Sequence, residues 1–265
     1  MKEVTEPRRS RRSVQSVDRA LDLLEALAAA EGEVSITLLA TRTKLHVSTV
    51  HRLLATLLRR GYVRQNAETS RYYTGAKLAT LVEARSRYNE LRLAARPLLQ
   101  SLVETTRETA NLSVLDDATA VYIETAASPQ VVRLFTVVGN HVPLHATGAG
   151  KALLASLPQS KRDSLLDHAG LRAHTARTLV DRGALARALD EARERGYAID
   201  DEEYDEGVRC VAIAVGPIGA PIAALSISGP ASRLSKQRCV EFVPQMRRAA
   251  ADLVEALRGR DARAT

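Results

Sequence analysis

The sequence has too few cysteines for a disulfide framework. Cys210 and Cys239 are the only two in 265 residues, and they fall into no metal-ligand spacing. That usage fits a reduced, cytoplasmic setting. Long apolar runs are missing as well: none approaches the ~20 residues that a membrane span requires. The basic start, MKEVTEPRRSRRS, leads into no apolar stretch, so it does not read as a secretory signal. Catalytic motifs are equally scarce. There is no G-x-S-x-G, and no Ser/His/Asp order stands out. TGAGK has the last glycine and the lysine of a phosphate loop. His145 stands where the first glycine belongs, and Ala152 stands where a hydroxyl should follow the lysine. These absences predict a chain that is not an enzyme and holds no cofactor. Internal repeats are also absent.

What is present is enough apolar residue, 45%, for two cores, in a chain long for one domain and comfortable for two. The net charge of +7 is unevenly spread. Residues 1–75 hold 13 Lys and Arg against 8 Asp and Glu, and the remaining 190 hold 25 against 23. The first quarter of the chain is therefore the part that favours an anionic partner, with nucleic acid foremost.

Residues 1–13 are polar and Arg-rich without periodicity, and are expected to form a disordered basic arm. Val17, Leu21, Leu24 and Ala28 follow a helical period that Gly32 closes. Ser35 is placed to cap a short second helix. A third helix is predicted from about Val47 to Arg60, with Val50, Leu53, Leu54, Leu57 and Leu58 on one face. YVRQNAETSRYYTG then reads as a hairpin. Residues 76–107 read as helical, interrupted at Pro97. A linker helix over 76–90 precedes the second domain, taken as 91–260. In that domain NLSVLDD, AVYIETA and VRLFTVVG read as short strands. Helices are expected near Ala149–Leu157 and Ala184–Arg195. CVAIAVGPIGAPIAALSISG reads as strand, turn and strand, and a helix from about Ser235 to Leu257 closes the chain. The fold class is thus α+β, with an antiparallel sheet in the second domain.

Three helices followed by a hairpin, over 14–75, is a winged helix-turn-helix arrangement. Its third helix divides its labour. The apolar face anchors it, and the opposite face offers Ser48, Thr49, His51, Arg52, Thr56 and Arg59. Short side chains there let the backbone approach base edges in a major groove. Arg64 and Arg71 on the hairpin can reach phosphate, which supplies affinity more than specificity. One such unit reads only a half-site, so a homodimer or homotetramer on a palindromic operator is expected. Leu78, Leu81 and Val82 of the linker helix are candidate interface residues.

SVDRALDLLEAL, STVHRLLATLLRRGYV and RYYTGAKL resemble the DNA-binding half of the IclR family of regulators. VPLHATGAGKALLASLP, GYAIDDEEYDEGVRCVAIAVGP and PIAALSISGP resemble that family's GAF-like effector-binding domain. The likeness spans about residues 14–258. It implies a sequence-specific transcription regulator, repressor or activator, whose operator affinity answers to a small organic acid. It also implies an effector site at Gly148 and Ala149, whose backbone N–H groups at a helix start suit a carboxylate. Asp200, Cys210, Ser226 and Ser228 occupy the other matching positions, and Val131 to Leu134 are expected to form an apolar wall. An alternative is a metal-responsive regulator using His141, His145 and Cys210. Their spacing matches no standard zinc pattern, and no metal residue is assigned.

Overall fold

The computed structural model describes residues 14–30, 32–78 and 88–264, with side chains through 259. The basic arm and residues 79–87 of the linker, including Leu81 and Val82, lie outside the described residues. The chain divides into two compact units between Ser86 and Arg87. Among the described residues no helix is long and apolar enough to cross a membrane.

The first unit is built from α1 (Gln15–Ala28), α2 (Ile36–Thr43) and α3 (Val47–Arg59), followed by the antiparallel hairpin β1 (Val63–Gln65) and β2 (Tyr72–Thr74). Ser35 caps α2 as expected, its hydroxyl accepting from Leu38 N at 3.3 Å. The chain leaves α2 through Lys44 in the left-handed region, at φ 54°. Val50, Leu54 and Leu57 of α3 are buried against Leu23, Leu27 and Leu39, which bears out the apolar face read from the period. Each such side chain contributes roughly 1.5–3 kcal/mol by burial. The helix expected from Val17, Leu21, Leu24 and Ala28 forms as α1, but another stripe faces the core. Val17 and Leu21 are 53% and 51% exposed, while Leu23 and Leu27 enter the core. α1 carries two apolar stripes, and periodicity alone does not say which one its own unit covers.

The second unit is a six-stranded antiparallel sheet in the order β5-β4-β3-β8-β7-β6. Its strands are β3 (Thr109–Asp116), β4 (Thr119–Ala126), β5 (His141–Pro143), β6 (Ala198–Asp201), β7 (Val208–Val215) and β8 (Ala223–Pro230). One face packs on α4 (Asn89–Thr106) and α8 (Lys236–Ala264), with Leu112, Val211 and Leu225 in that core. The other face carries α5 (Gly148–Ser156) and α7 (Arg182–Arg195), with α6 (Gln159–Ala169) alongside through Leu166. α4 runs unbroken through Pro97, contrary to the predicted interruption. The lost backbone bond costs ~3 kcal/mol. Burial of Leu91, Leu99, Leu102 and Val103 outweighs it.

Two elements were not foreseen. α6 buries only Arg162 and Leu166, too little for a stripe. β6 is four residues long. One predicted strand is absent. VRLFTVVG is an irregular segment, with Val132 67% and Phe135 81% exposed. β5 pairs with β4 at the sheet edge where it would have added.

Candidate DNA-reading and effector sites

On α3 the side chains of Ser48, His51, Arg52, Thr56 and Arg59 are exposed, and Thr49 is half-buried. The helix begins on His46, whose Nδ1 accepts from Ser48 N at 3.4 Å and lies 2.8 Å from Ser48 Oγ. That cap was not anticipated, because histidine is not among the strong N-cap residues. Arg52 and Thr49 line a groove with Gln15, Ser16 and Arg19 at the start of α1. The basic face of α3 therefore has a neighbouring cation from α1.

The hairpin is held at its tip by Glu33. Its carboxylate accepts from Asn66 Nδ2 at 2.6 Å and from Thr69 Oγ1 at 2.7 Å, and these bonds lower its pKa. Asn66 Oδ1 in turn accepts from Glu68 N and Thr69 N. Val34 makes a single antiparallel bridge to Tyr72 beside the hairpin. Arg64 and Arg71 stay exposed on this braced hairpin.

In the second unit, sheet register gathers the expected effector residues. Asp200 pairs with Cys210, Cys210 with Ser228, and Ser228 with Thr109, so one row crosses four strands. The next row on the same face runs Ala212, Ser226, Asn111 and Thr125. Asp200, Cys210 and Ser228 line a cavity of about 200 Å³. Tyr122, Thr147 and Tyr204 share it, and Leu134, Phe135 and Thr136 close one side. Leu134 thus belongs to the apolar wall. Val131 and Val132 do not, being 96% and 67% exposed.

Gly148, Ala149 and Ser226 sit behind this lining. A Cβ on Gly148 would lie 2.9 Å from Cys210 Sγ, so glycine lets the start of α5 rest on the β7 backbone. Thr147 caps α5 by accepting from Gly150 N at 3.1 Å. The first intrahelical bond there is Lys151 N to Thr147 O. The N–H groups of Gly148 and Ala149 precede it and lack helical partners. Gly150 has a separate need, because a Cβ there would fall 2.4 Å from Leu144 Cα.

The electrostatics make Asp200 a much weaker acid than usual. Burial pushes its pKa up to about 7, and the Glu203 charge adds to the rise. The Glu203 N–H, donated to Asp200 Oδ1 at 2.7 Å, and the Lys151 ammonium oppose it. Lys151 itself is buried and ion-paired with Glu203. The Cys210 thiol is pushed up to about 12 by burial and by Asp200, so it stays protonated. The Ser228 and Ser226 hydroxyls temper that rise, although Ser226 Oγ meets no atom with hydrogen-bonding geometry.

The metal alternative does not assemble. His141 is exposed on β5 and bonded to Thr119 Oγ1 at 2.7 Å. His145 is buried, with Nε2 on Arg172 O at 2.9 Å, and its pKa is lowered by burial. Among the described residues no three His, Cys, Asp or Glu side chains cluster as metal ligands.

The comparisons with known proteins decide the family. The profile described as Bacterial transcriptional regulator IclR C-terminal matches residues 85–255, and the IclR helix-turn-helix domain matches 16–67. The chain belongs to the IclR family. It is 40% identical to the acetate operon repressor of Salmonella typhimurium over 249 residues, 93% of this chain and 91% of that one. The IclR of Thermotoga maritima superposes with a TM-score of 0.76 at 27% identity, covering 92% of this chain and 98% of that one. An IclR homologue from Microbacterium hydrocarbonoxydans, complexed with 4-hydroxybenzoate, superposes with a TM-score of 0.72 at 25% identity, covering 92% and 99%. As an IclR-family member the protein is a DNA-binding transcription regulator. Its IclR relatives are named as regulators and repressors, which sets aside an enzyme.

Proposed function

We propose that this IclR-family protein binds a palindromic operator and that a small organic acid in the second unit sets its operator affinity. Residues 14–75 read DNA, 76–90 link, and 91–260 bind the effector. Ser48, Thr49, His51, Arg52, Thr56 and Arg59 face the major groove, and Arg64 and Arg71 reach the backbone. The single observation that carries the effector half is the cavity lined by Asp200, Cys210 and Ser228 beside the start of α5. The Ser228 hydroxyl is a donor, the start of α5 lies beside the cavity, and Asp200 donates in its protonated form, which suits a carboxylate. With the Asp200 pKa raised to about 7, its repulsion of a carboxylate falls away as pH drops below that value. The bound 4-hydroxybenzoate of the M. hydrocarbonoxydans relative supports the class of ligand.

The protein works in the cytoplasm as a homodimer or homotetramer. The exposed stripe of Val14, Val17 and Leu21 on α1 is a better candidate interface than Leu78, which is half-buried in its own unit. Light scattering at micromolar concentration checks this: a monomer contradicts it.

The effector site is tested by calorimetry against small carboxylates. Gly148→Val is expected to abolish binding, since its side chain enters the space of Cys210 Sγ. Ser228→Ala, which removes only a hydroxyl from the lining, is expected to weaken binding about tenfold while the melting temperature holds. Unchanged affinity in both variants contradicts the site.

A further inference from the structure

A second cavity, of about 190 Å³, lies at the open edge of the sheet. Its lining includes Leu179, Ala188 and Arg195 of α7, Ala198 and Ile199 of β6, and Glu203. It shares no residue with the cavity of Asp200, Cys210 and Ser228. Sites for drug-sized ligands run to ~300–1,000 Å³, so this one is limited to a small metabolite.

β6 ends the strand order, so one side of its backbone has no strand to pair with. In an antiparallel pair, alternate residues turn both their N–H and their C=O to the partner. Glu202 N donates to Val208 O of β7, which assigns the even-numbered residues to the ladder. The odd-numbered residues turn outward. Tyr197 O accepts from Arg195 Nε at 2.8 Å, and Asp201 N donates to Glu203 Oε1 at 3.3 Å. Ile199 lies between them, so its N–H and C=O face the open side, where Arg195 and Glu203 stand.

The two ends of this edge have opposite unmet needs. Arg195, toward the N–H of Ile199, is half-buried and pairs with no carboxylate among the described residues. Glu203 stands toward the C=O. Its Oε1 takes Lys151 and the Asp201 N–H, while Oε2 is buried without a partner. Folded proteins rarely leave such an acceptor unmet. Lys236 and Asp201 also line the cavity, but they pair with each other at 2.7 Å.

We propose that this edge binds a small aliphatic α-amino acid as a one-residue antiparallel partner of Ile199. An antiparallel partner accepts from the N–H and donates to the C=O of the same residue. The carboxylate and the α-ammonium of one amino acid do both. The carboxylate takes the Ile199 N–H with Arg195 as its countercharge, and the ammonium reaches Ile199 O and Glu203 Oε2. The aliphatic side chain rests on Leu179 and Ala188. A residue inside a peptide strand would bring a neutral carbonyl and a single N–H, leaving Arg195 and Glu203 Oε2 unmet. The site stands apart from the organic-acid reading above.

The test titrates L-alanine, L-valine and L-leucine into the full-length protein by calorimetry. Beside the tightest of them go its N-acetyl form, which lacks the ammonium, and its amide, which lacks the carboxylate. One amino acid is expected to bind per chain, with each blocked form at least about tenfold weaker. Arg195→Ala, which removes the cation, is expected to weaken the amino acid about tenfold. Ala188→Phe, which fills the apolar wall from a half-buried position on α7, is expected to abolish binding. The blocked forms act on the wild type, whatever either variant does to stability. Failure of all three amino acids to bind the wild type overturns the site. Equal affinity for the free and both blocked forms makes the edge a peptide-binding strand and overturns the amino-acid assignment. Undiminished affinity in both variants puts the amino acid elsewhere and overturns the proposal as well.

Discussion

The two units present their chemistry in opposite ways. The first buries apolar residues and displays polar ones: α3 is anchored by Val50, Leu54 and Leu57 and shows Ser48, Arg52 and Arg59 to solvent. The second buries its polar residues: Asp200, Ser226, Ser228, Asn111 and Ser113 are all under 5% exposed. A surface built for DNA need not be desolvated before its partner arrives, and its affinity comes largely from charge. A pocket proposed to hold a small acid would gain from a dry setting in which each hydrogen bond is strong, at a cost in stability while donors stay unmatched. The contrast predicts that substitutions on the DNA face alter binding and spare stability, whereas removal of a buried charge from the pocket alters stability as well.

The largest expected effect breaks the anchor of the DNA face. Leu54→Ala should destabilise the first unit by about 2–5 kcal/mol, since Leu54 is 1% exposed in a small core. Calorimetry of the full chain should show one transition lowered and the other unmoved. A uniform shift of both would contradict two separate cores.

Asp200→Asn addresses the buried polar side. The folded-state pKa of Asp200, about 7, lies above its ordinary 3.8. The folded protein therefore holds this proton more tightly than the unfolded chain does. Its penalty is absent well below pH 3.8, grows as pH rises, and is complete above pH 7. Asn, which keeps an oxygen for the Glu203 N–H, should match the wild type at a pH well below 3.8. Above pH 7 it should be more stable by up to about 4 kcal/mol. Denaturant melts at two pH values check this, and a difference independent of pH would refute it.

Smaller still, Arg52→Ala should cost about 1–3 kcal/mol of operator binding and leave both melting transitions in place. The smallest effect is expected at the hairpin. Glu33→Ala removes the acceptor for Asn66 and Thr69, so amide exchange at the tip should quicken while the helices keep their protection. The carboxylate has a lowered pKa, so its bracing is present above the ordinary glutamate range and is lost as pH falls through the lowered value. Unchanged exchange at Glu68 and Thr69 would show that the hairpin braces itself.

The same contrast explains what the sequence alone could convey. On α3 the period of 3.6 separates the anchored face from the displayed one, so Arg52 and Arg59 are legible without a structure. On α1 the same period gives the helix through Val17 and Leu21 but not its buried side, because two apolar stripes compete and only packing selects Leu23 and Leu27. In the sheet, side chains meet across strands far apart in sequence. Asn111 and Ser226 are paired neighbours separated by more than a hundred residues, and no local period links them. A hint was present in NLSV, where Asn111 and Ser113 alternate with apolar residues along a strand. It needed the β3–β8 register to set Asn111 beside Ser226. The motif residues Asp200, Cys210 and Ser228 came from family likeness, and the row they form depends on that same register. VRLFTVVG was read as a strand because its composition is that of one, yet strand pairing depends on an available edge, and β5 occupies it.

The central claim is that a carboxylate in the second unit changes the affinity of the first for DNA, and fluorescence anisotropy tests it most directly. A duplex selected from a random library by the wild-type protein is titrated with wild type, Arg52→Ala and Ser228→Ala, each with and without the tightest-binding acid found by calorimetry. The account predicts that the acid shifts wild-type affinity several-fold. Arg52→Ala binds the duplex weakly in either condition yet still binds the acid. Ser228→Ala binds the duplex normally, and the acid leaves its affinity almost unchanged. Equal operator affinity for the wild type with and without saturating acid would contradict the account.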